Sequence, residues 1–301
     1  MRTSSSVIDV AVVLNPGSGA KADEAARRQE IIELFAARGR TATIFGATPE
    51  APVDAQARKA VAAGCRLAVA TGGDGTVNAV AGAVVGRDIP LAVLPTGTLN
   101  HFAKDVGIPL ALPEAVQVAC EGTVRVVDTG EVNGRLFLNN SSIGVYPRIV
   151  ELRNRYGGRG AAKWMAALWA SLVVLRRRPF LAVRIRVGDE TVVRRTPFVF
   201  VGNNEYRMIG LSAGSRESLT DGQLAVYLMR GSHRSKVLGL AVRVLFRGAQ
   251  RVDELELLKV ADAAIETRRH RLQVSLDGEV ALLQSPLAYR IRPAALRVMA
   301  P

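Results

Sequence analysis

The chain has 301 residues, a length that favours two domains, and its 49% apolar content fills substantial cores with Val, Leu, Ala and Ile because only 5% is aromatic. Forty Lys and Arg against twenty-seven Asp and Glu leave a formal charge of +13, a field that gathers nucleotides, nucleic acid or acidic lipid head groups without choosing among them. Cys65 and Cys120 form no CxxC or metal-ligand spacing and read as reduced residues of a cytosolic protein, while the scattered His101, His233 and His270 argue against a zinc site.

Residues 7–14 are a continuous apolar run broken only by Asp9. The run is too short for a secretory signal and lacks a cleavage site. No stretch reaches the roughly twenty apolar residues that cross a bilayer. It reads instead as a buried parallel strand. A helix is expected over 22–38, with Ala25, Ile31, Ile32, Leu34 and Phe35 on its apolar side. Strands over 41–45, 67–71 and 91–94 alternate with helices over 54–63 and 77–85. This order predicts a doubly wound, Rossmann-like parallel sheet in a domain of residues 1–126.

The pattern changes after residue 124. Segments 125–132 and 135–139 flank Asn133-Gly134, a two-residue hairpin signal. Further strands are expected over 182–187, 191–196, 198–202, 224–229, 263–267, 272–276 and 280–283. They predict an antiparallel β-sandwich domain over 127–285. Helical stretches over 161–175 and 235–246 interrupt it, and 286–301 is expected to return to the first domain.

Three turns carry the chemistry. The apolar strand at 67–71 runs into Gly72-Gly73-Asp74-Gly75-Thr76, and a helix follows. Glycines allow successive amides to converge as an anion nest, and the helix adds its positive end. Asp74 would repel phosphate directly, so its chemical use is to hold Mg²⁺ beside it. Thr76 suits a helix cap or an oxygen contact. Asn15-Pro16-Gly17-Ser18-Gly19 follows the first strand, and Pro95-Thr96-Gly97-Thr98-Leu99-Asn100 follows the fourth. All three fall at the carboxyl edge of the expected sheet, where such folds bind ligands. Each alone is equally an ordinary strand-to-helix turn. None is a Walker motif or a GxGxxG. Asp277-Gly278 and Asp221-Gly222 read by themselves as ordinary turns ahead of strands, although Asp277 and Glu279 have the chemistry of acid–base groups.

The set NPGSG (15–19), GGDGTVN (72–78) and PTGTLNHFA (95–103) resembles the catalytic domain of diacylglycerol kinases and their bacterial lipid-kinase relatives, a group that includes sphingosine and ceramide kinases. Val127-Asp128-Thr129-Gly130, Phe137-Leu138-Asn139-Asn140, Ser218–Leu224 and Leu276-Asp277-Gly278-Glu279 extend the resemblance through the second half, in the family's order. It implies an NAD kinase/diacylglycerol kinase-like fold and ATP bound with Mg²⁺. Asn15, Pro16, Gly17, Ser18, Gly19, Thr48, Gly72, Gly73, Asp74, Gly75, Thr76, Val77, Asn78 and Thr98 are implied to line the nucleotide. Asp74 would join a Mg²⁺–water network. Asp277 and Glu279 would sit near the γ-phosphate, with Glu279 taking the proton of a lipid hydroxyl. Asp221, with the carbonyls of Ser218 and Gln223, would hold a second, structural Mg²⁺. His101 stands where family members often carry Asp, and Thr220 where a second Asp is common.

Residues 163–178 place Trp164, Met165, Leu168, Trp169, Leu172 and Val173 at helical spacing before Arg176-Arg177-Arg178. The stripe suits either packing on the sheet or an anionic bilayer interface, which Arg234, Lys236, Arg243, Arg247 and Arg251 would extend. The expected partner is a lipid substrate met peripherally at an anionic membrane, from the cytoplasm. Monomer and homodimer both stay open. Two other functions compete with a lipid kinase. One is a kinase of a soluble acceptor such as NAD, whose TPTGSTAY-like loop has no counterpart in Ser141–Val145. The other is a catalytically weak nucleotide-binding protein. A nucleic-acid binder ranks last, for want of an aromatic strand motif or a helix-turn-helix.

Overall fold

The computed structural model describes residues 7–16, 24–144, 180–209, 212–229 and 255–301. The chain divides into two units, Met1–Val127 with Ala294–Pro301, and Asp128–Pro293.

In the first unit the apolar runs become β1 (Ile8–Leu14), β2 (Ala42–Gly46), β3 (Cys65–Gly72) and β4 (Leu91–Pro95). They pair in parallel in the order β2-β1-β3-β4. The middle of β1, Val10 to Val13, is wholly buried, as a strand covered on both faces must be. The crossovers are α1 (Glu24–Ala36), α2 (Val53–Ala62) and α3 (Asp74–Val84). Two more helices, α4 (His101–Val106) and α5 (Leu112–Glu121), follow β4 and are absent from the sequence expectation. Helix α4 is one short piece ended by Gly107 in a left-handed cap, φ 90°. Helix α5 has Pro113 in its first turn and buries Ala115, Val116 and Ala119. Packing of α2 on α3, and of α1 on α5, makes the sheet doubly wound. Cys65 and Cys120 are free, and burial pushes both thiols up in pKa.

β5 (Thr123–Val132) leads into the second unit and turns into β6 (Arg135–Phe137). Asn133 and Gly134 between them have φ of 46° and 78°, the left-handed pair that a two-residue hairpin requires. There follow β7 (Asn140–Gly144), β8 (Leu181–Val187), β9 (Glu190–Thr196), β10 (Phe198–Asn203), β11 (Tyr206–Ile209) and β12 (Ser212–Arg216). The remaining strands are β13 (Leu224–Met229), β14 (Leu255–Val260), β15 (Asp262–Thr267), β16 (Arg271–Leu276), β17 (Glu279–Gln284) and β18 (Leu287–Ala300). One antiparallel sheet has the order β14-β13-β10-β7-β16-β17. A second pairs β9, β8 and β15 with the first part of β18. Val199, Val201, Val226 and Val274 of one sheet share a core with Val183, Ile185, Ile265 and Tyr289 of the other. The second unit is therefore a β-sandwich. β18 then runs on, and Val298 pairs in parallel with Leu91 of β4. The return expected from 286 enters the first unit at Ala294.

Strands β7, β11, β12 and β14 are also absent from the sequence expectation. β7 is Asn-Ser-Ser-Ile-Gly, too polar to read as a strand, and β14 carries four part-exposed residues before Lys259. The helices expected over 161–175 and 235–246 lie outside the described residues. Among the described residues no helix is long and apolar enough to cross a membrane.

Candidate functional site

The register of the parallel sheet brings four strand ends to one edge. Leu14 pairs with Gly46 on one side and with Thr71 on the other, and Gly72 pairs with Pro95. Gly72 closes β3, and Asn15, Thr48, Gly73 and Thr98 follow their strands within three residues. The strand order reverses between β1 and β3, which is the switch point where such sheets bind ligands. Across it the Asn15 side-chain amide donates to the Thr76 hydroxyl at 3.1 Å. Pro16 is exposed beside Asn15, and Gly17, Ser18 and Gly19 lie outside the described residues.

The glycine segment differs from the expected turn. Helix α3 starts at Asp74, not at 77, with Gly73 as its extended N-cap. Its first intrahelical bond runs from Val77 N to the Gly73 carbonyl at 3.1 Å. Helix geometry therefore leaves the amides of Asp74, Gly75 and Thr76 without an intrahelical acceptor. Asp74 belongs to the first turn because a carboxylate there meets the positive end of the helix. Its Oδ1 accepts the Phe102 amide of α4 at 3.3 Å, and the residue stays part-exposed. Val77 is a core residue, 3% exposed, so its side chain supports the loop from beneath. Asn78 is half-buried one residue further along the helix.

The β4 turn packs against the β3 turn backbone to backbone. Thr96 N donates to the Gly72 carbonyl at 3.1 Å. Asn100, buried and at φ 51°, closes the turn on itself. Its Oδ1 accepts the Gly97 amide at 3.1 Å, and its Nδ2 donates to the Gly97 carbonyl at 2.8 Å. A Cβ on Gly97 would overlap Gly73 Cα and the Asn100 side chain. Gly97→Ala is therefore expected to cost about 1–3 kcal/mol of stability and to weaken nucleotide binding. Thermal melting and calorimetry with ATP check both effects. Thr48 and Thr98 are exposed on the flanking turns, and the Thr48 hydroxyl accepts the Ala51 amide at 3.1 Å.

In the second unit Asp277 is the tip of the β16–β17 hairpin, with φ 47° followed by Gly278 at φ 89°. Both carboxylate oxygens are engaged. Oδ2 accepts the Leu138 amide at 2.8 Å, and Oδ1 accepts those of Asn139 and Asn140 at 2.8 and 3.0 Å. Burial of the carboxyl pushes its pKa up to about 6, against the downward pull of the three amides and of Arg216. Arg216 secures the same segment from behind. Its guanidinium donates to the carbonyls of Leu138 and Asn203 and to Asn139 Oδ1, at 2.7, 3.2 and 3.1 Å. Glu279, two residues on, is exposed, and its side chain makes no hydrogen bond or ion pair with a described residue.

The 218–223 loop is clamped by Asp128 and Asn204. Asp128 N donates to the Leu219 carbonyl at 2.9 Å, and Asp128 Oδ2 accepts the Gly222 amide at 2.8 Å. Asn204 N donates to the Gln223 carbonyl at 3.0 Å, and its Nδ2 donates to Asp128 Oδ2 at 3.1 Å. Asp221 is exposed, and the Ser218 hydroxyl accepts the Thr220 amide at 3.1 Å. One carboxylate and main-chain carbonyls are the hard oxygen donors Mg²⁺ takes, though with a single charge and with the Gln223 carbonyl already bonded once. Among the described residues no three His, Cys, Asp or Glu side chains cluster as a metal site. Sequence reading missed Asn100, Asn204 and Arg216 as organisers of these loops, and quoted Asp128 only as part of a motif. Asn100 alone carried a local signal, as an Asn able to hold a left-handed turn.

Residues 9–132 match the diacylglycerol kinase catalytic domain, and residues 139–300 match the YegS C-terminal NAD kinase beta sandwich-like domain. A diacylglycerol kinase of Mycobacterium tuberculosis is 30% identical over 252 residues, 80% of this chain and 79% of that protein. A probable lipid kinase YegS-like protein of Pseudomonas savastanoi pv. phaseolicola is 30% identical over 256 residues, 81% of this chain and 78% of that protein. An uncharacterized protein of Synechocystis sp. is 29% identical over 77% of this chain, which spans only 54% of that protein. In fold, a crystal structure of a diacylglycerol kinase from Bacillus anthracis str. Sterne superposes with a TM-score of 0.71 over 97% of each chain, at 19% identity. With both units matched and the switch-point loops in place, the chain belongs to the diacylglycerol kinase and YegS-like lipid kinase family.

Proposed function

We propose that the chain transfers the γ-phosphoryl group of ATP to the hydroxyl of a diacylglycerol-like lipid, with Mg²⁺. The observation that carries this reading is the bridge from Asn15 to Thr76 at the switch point, beside three helix-terminal amides and the glycine contact of Gly73 with Gly97. Convergent amides of this kind suit a polyphosphate. Thr48 and Thr98 flank it on the same edge. Mg²⁺ held by Asp74, when bound, neutralises charge on the β- and γ-phosphates.

Transfer also needs a group to take the hydroxyl proton. Asp277 has both oxygens occupied by amides, which suits it to positioning its hairpin. Glu279, exposed next to it, is left as the proton acceptor. Asp221 with the carbonyls of Ser218 and Gln223 would hold a second, structural Mg²⁺. The +13 charge favours peripheral contact with an anionic membrane, from which the lipid is drawn. The segments 163–178 and 234–251 expected to make that contact lie outside the described residues.

The test is transfer from labelled ATP to diacylglycerol, monoacylglycerol, a sphingoid base and a polyprenyl alcohol in mixed micelles, with NAD in parallel. Labelled phospholipid is the expected product. Labelled NADP, or ATP binding without transfer to any acceptor, overturns the proposal.

A further inference from the structure

We propose that one end of the second unit, carrying Arg135, Arg268, Arg269 and Arg271 beside Val280 and Leu282, docks on an anionic phospholipid bilayer. The inference rests on the lipid-kinase reading and deepens it, by naming a surface through which the chain meets a membrane.

Three turns meet at this end. β15 crosses to β16 through Arg268, Arg269 and His270, and Ser285 N donates to the His270 carbonyl at 2.9 Å. The Asn133 side-chain amide donates to the carbonyls of Gln284 and Pro286 at 2.9 and 3.3 Å, which ties the β5–β6 turn to the same place. Arg135 directly follows that turn. The four arginines are exposed, and none forms an ion pair with a described residue. The acids close to them in sequence are already engaged, Glu131 by Arg290 at 2.9 Å and Glu266 by Arg186 at 2.8 Å. Among the described residues nothing neutralises this end.

β17 adds an apolar strip. It is the edge strand of the six-stranded sheet. Leu283 is buried in the sandwich core and Ala281 packs against it, so alternation turns Val280 and Leu282 to the outer face. They are 38% and 60% exposed. The register with β16 sets Gln273 opposite Leu282 and Arg271 opposite Gln284, so the aliphatic pair runs along one face towards an arginine. Edge strands are usually guarded by charge, yet residues 280–284 carry none. Aliphatic side chains beside unneutralised arginines match a bilayer interface, where acyl chains take the first and anionic head groups the second. A nucleic acid would take up the arginines and leave Val280 and Leu282 in water.

The experiment measures co-sedimentation of the full chain with phosphatidylcholine vesicles, with and without about 30% phosphatidylglycerol. Wild type is expected to favour the anionic vesicles by about a hundredfold, and Arg268→Gln/Arg269→Gln/Arg271→Gln to lose at least about tenfold of that preference. Arg268→Lys/Arg269→Lys/Arg271→Lys keeps the charge and should stay within about threefold of wild type. Arg184→Gln/Arg186→Gln/Arg194→Gln removes the same net charge from ion-paired positions and should also stay within about threefold. Leu282→Ser should weaken vesicle binding by about fivefold and leave binding to a short DNA duplex unchanged. Equal losses in the two glutamine variants would mean that net charge alone is read, and they overturn the proposal. So do wild-type binding that ignores phosphatidylglycerol, loss of binding in the lysine variant, and vesicle binding unaltered by Leu282→Ser. Failure of the wild-type chain to phosphorylate any lipid overturns the lipid-kinase reading, while the vesicle comparison, which needs no turnover, still decides the dock.

Discussion

Asp74→Ala is expected to lower phosphoryl transfer by about a thousandfold while leaving the first unit folded. The two effects separate because Asp74 contributes little to structure. Among the described residues its side chain accepts one hydrogen bond, the long contact from Phe102 N at 3.3 Å, and it is part-exposed. Such a bond is worth about 1 kcal/mol, and the charge at the start of α3 adds about 0.3–1 kcal/mol. A loss of that size lowers the melting temperature by only about 3–8 °C. The chemical loss is larger because the carboxylate is the one negative group in the first turn of α3, where Mg²⁺ and the triphosphate are proposed to meet. Lipid turnover, ATP affinity by calorimetry and thermal melting together decide the matter. Turnover within a few-fold of wild type would remove the metal role from Asp74.

Asp277→Ala is expected to do the reverse, acting first on stability. Three amides, from Leu138, Asn139 and Asn140, lose their acceptor at once. Each buried donor left unsatisfied costs about 1–3 kcal/mol, so a total of at least about 2 kcal/mol is expected once water reaches the outermost amide. The pH dependence gives a second signature. The Asp277 carboxyl is raised from 3.8 to about 6 by burial. Between those values the folded chain holds a proton that the unfolded chain has released. The stability from this group is therefore full below about pH 4 and is lost as pH rises through about 6. Denaturant titrations from pH 4 to 7 should show this fall in wild type and not in Asp277→Ala. A variant as stable as wild type, with the same pH profile, would show that the amides find other acceptors.

Ser142, Ser275 and the two carboxylates locate where local pattern stops being informative. The turn Asp277-Gly278 was legible as a hairpin, because both residues tolerate positive φ. That its carboxylate reaches back to hold the segment 138–140 was not, since the partners stand 137 to 139 positions apart in the chain. Ser142 and Ser275 look like unremarkable polar positions in sequence. Only their pairing in register reveals two buried hydroxyls side by side. Arg216 gave no signal either, as one basic residue in a polar stretch, yet it braces the same loop.

By itself the amino-acid sequence determined the parallel α/β order of the first unit, the strand-rich second unit and the glycine turns at the strand ends. These follow from local physics: continuous apolar runs for doubly covered strands, alternation for half-covered ones, and glycine where φ must be positive. Tertiary structure decided the switch-point bridge from Asn15 to Thr76, the start of α3 at Asp74 and the return of β18 to β4. It also decided which carboxylate is bound by amides and which is exposed. Those outcomes depend on strand register and on groups far apart in the chain, and neither register nor long-range hydrogen bonding is written in the spacing of neighbouring residues.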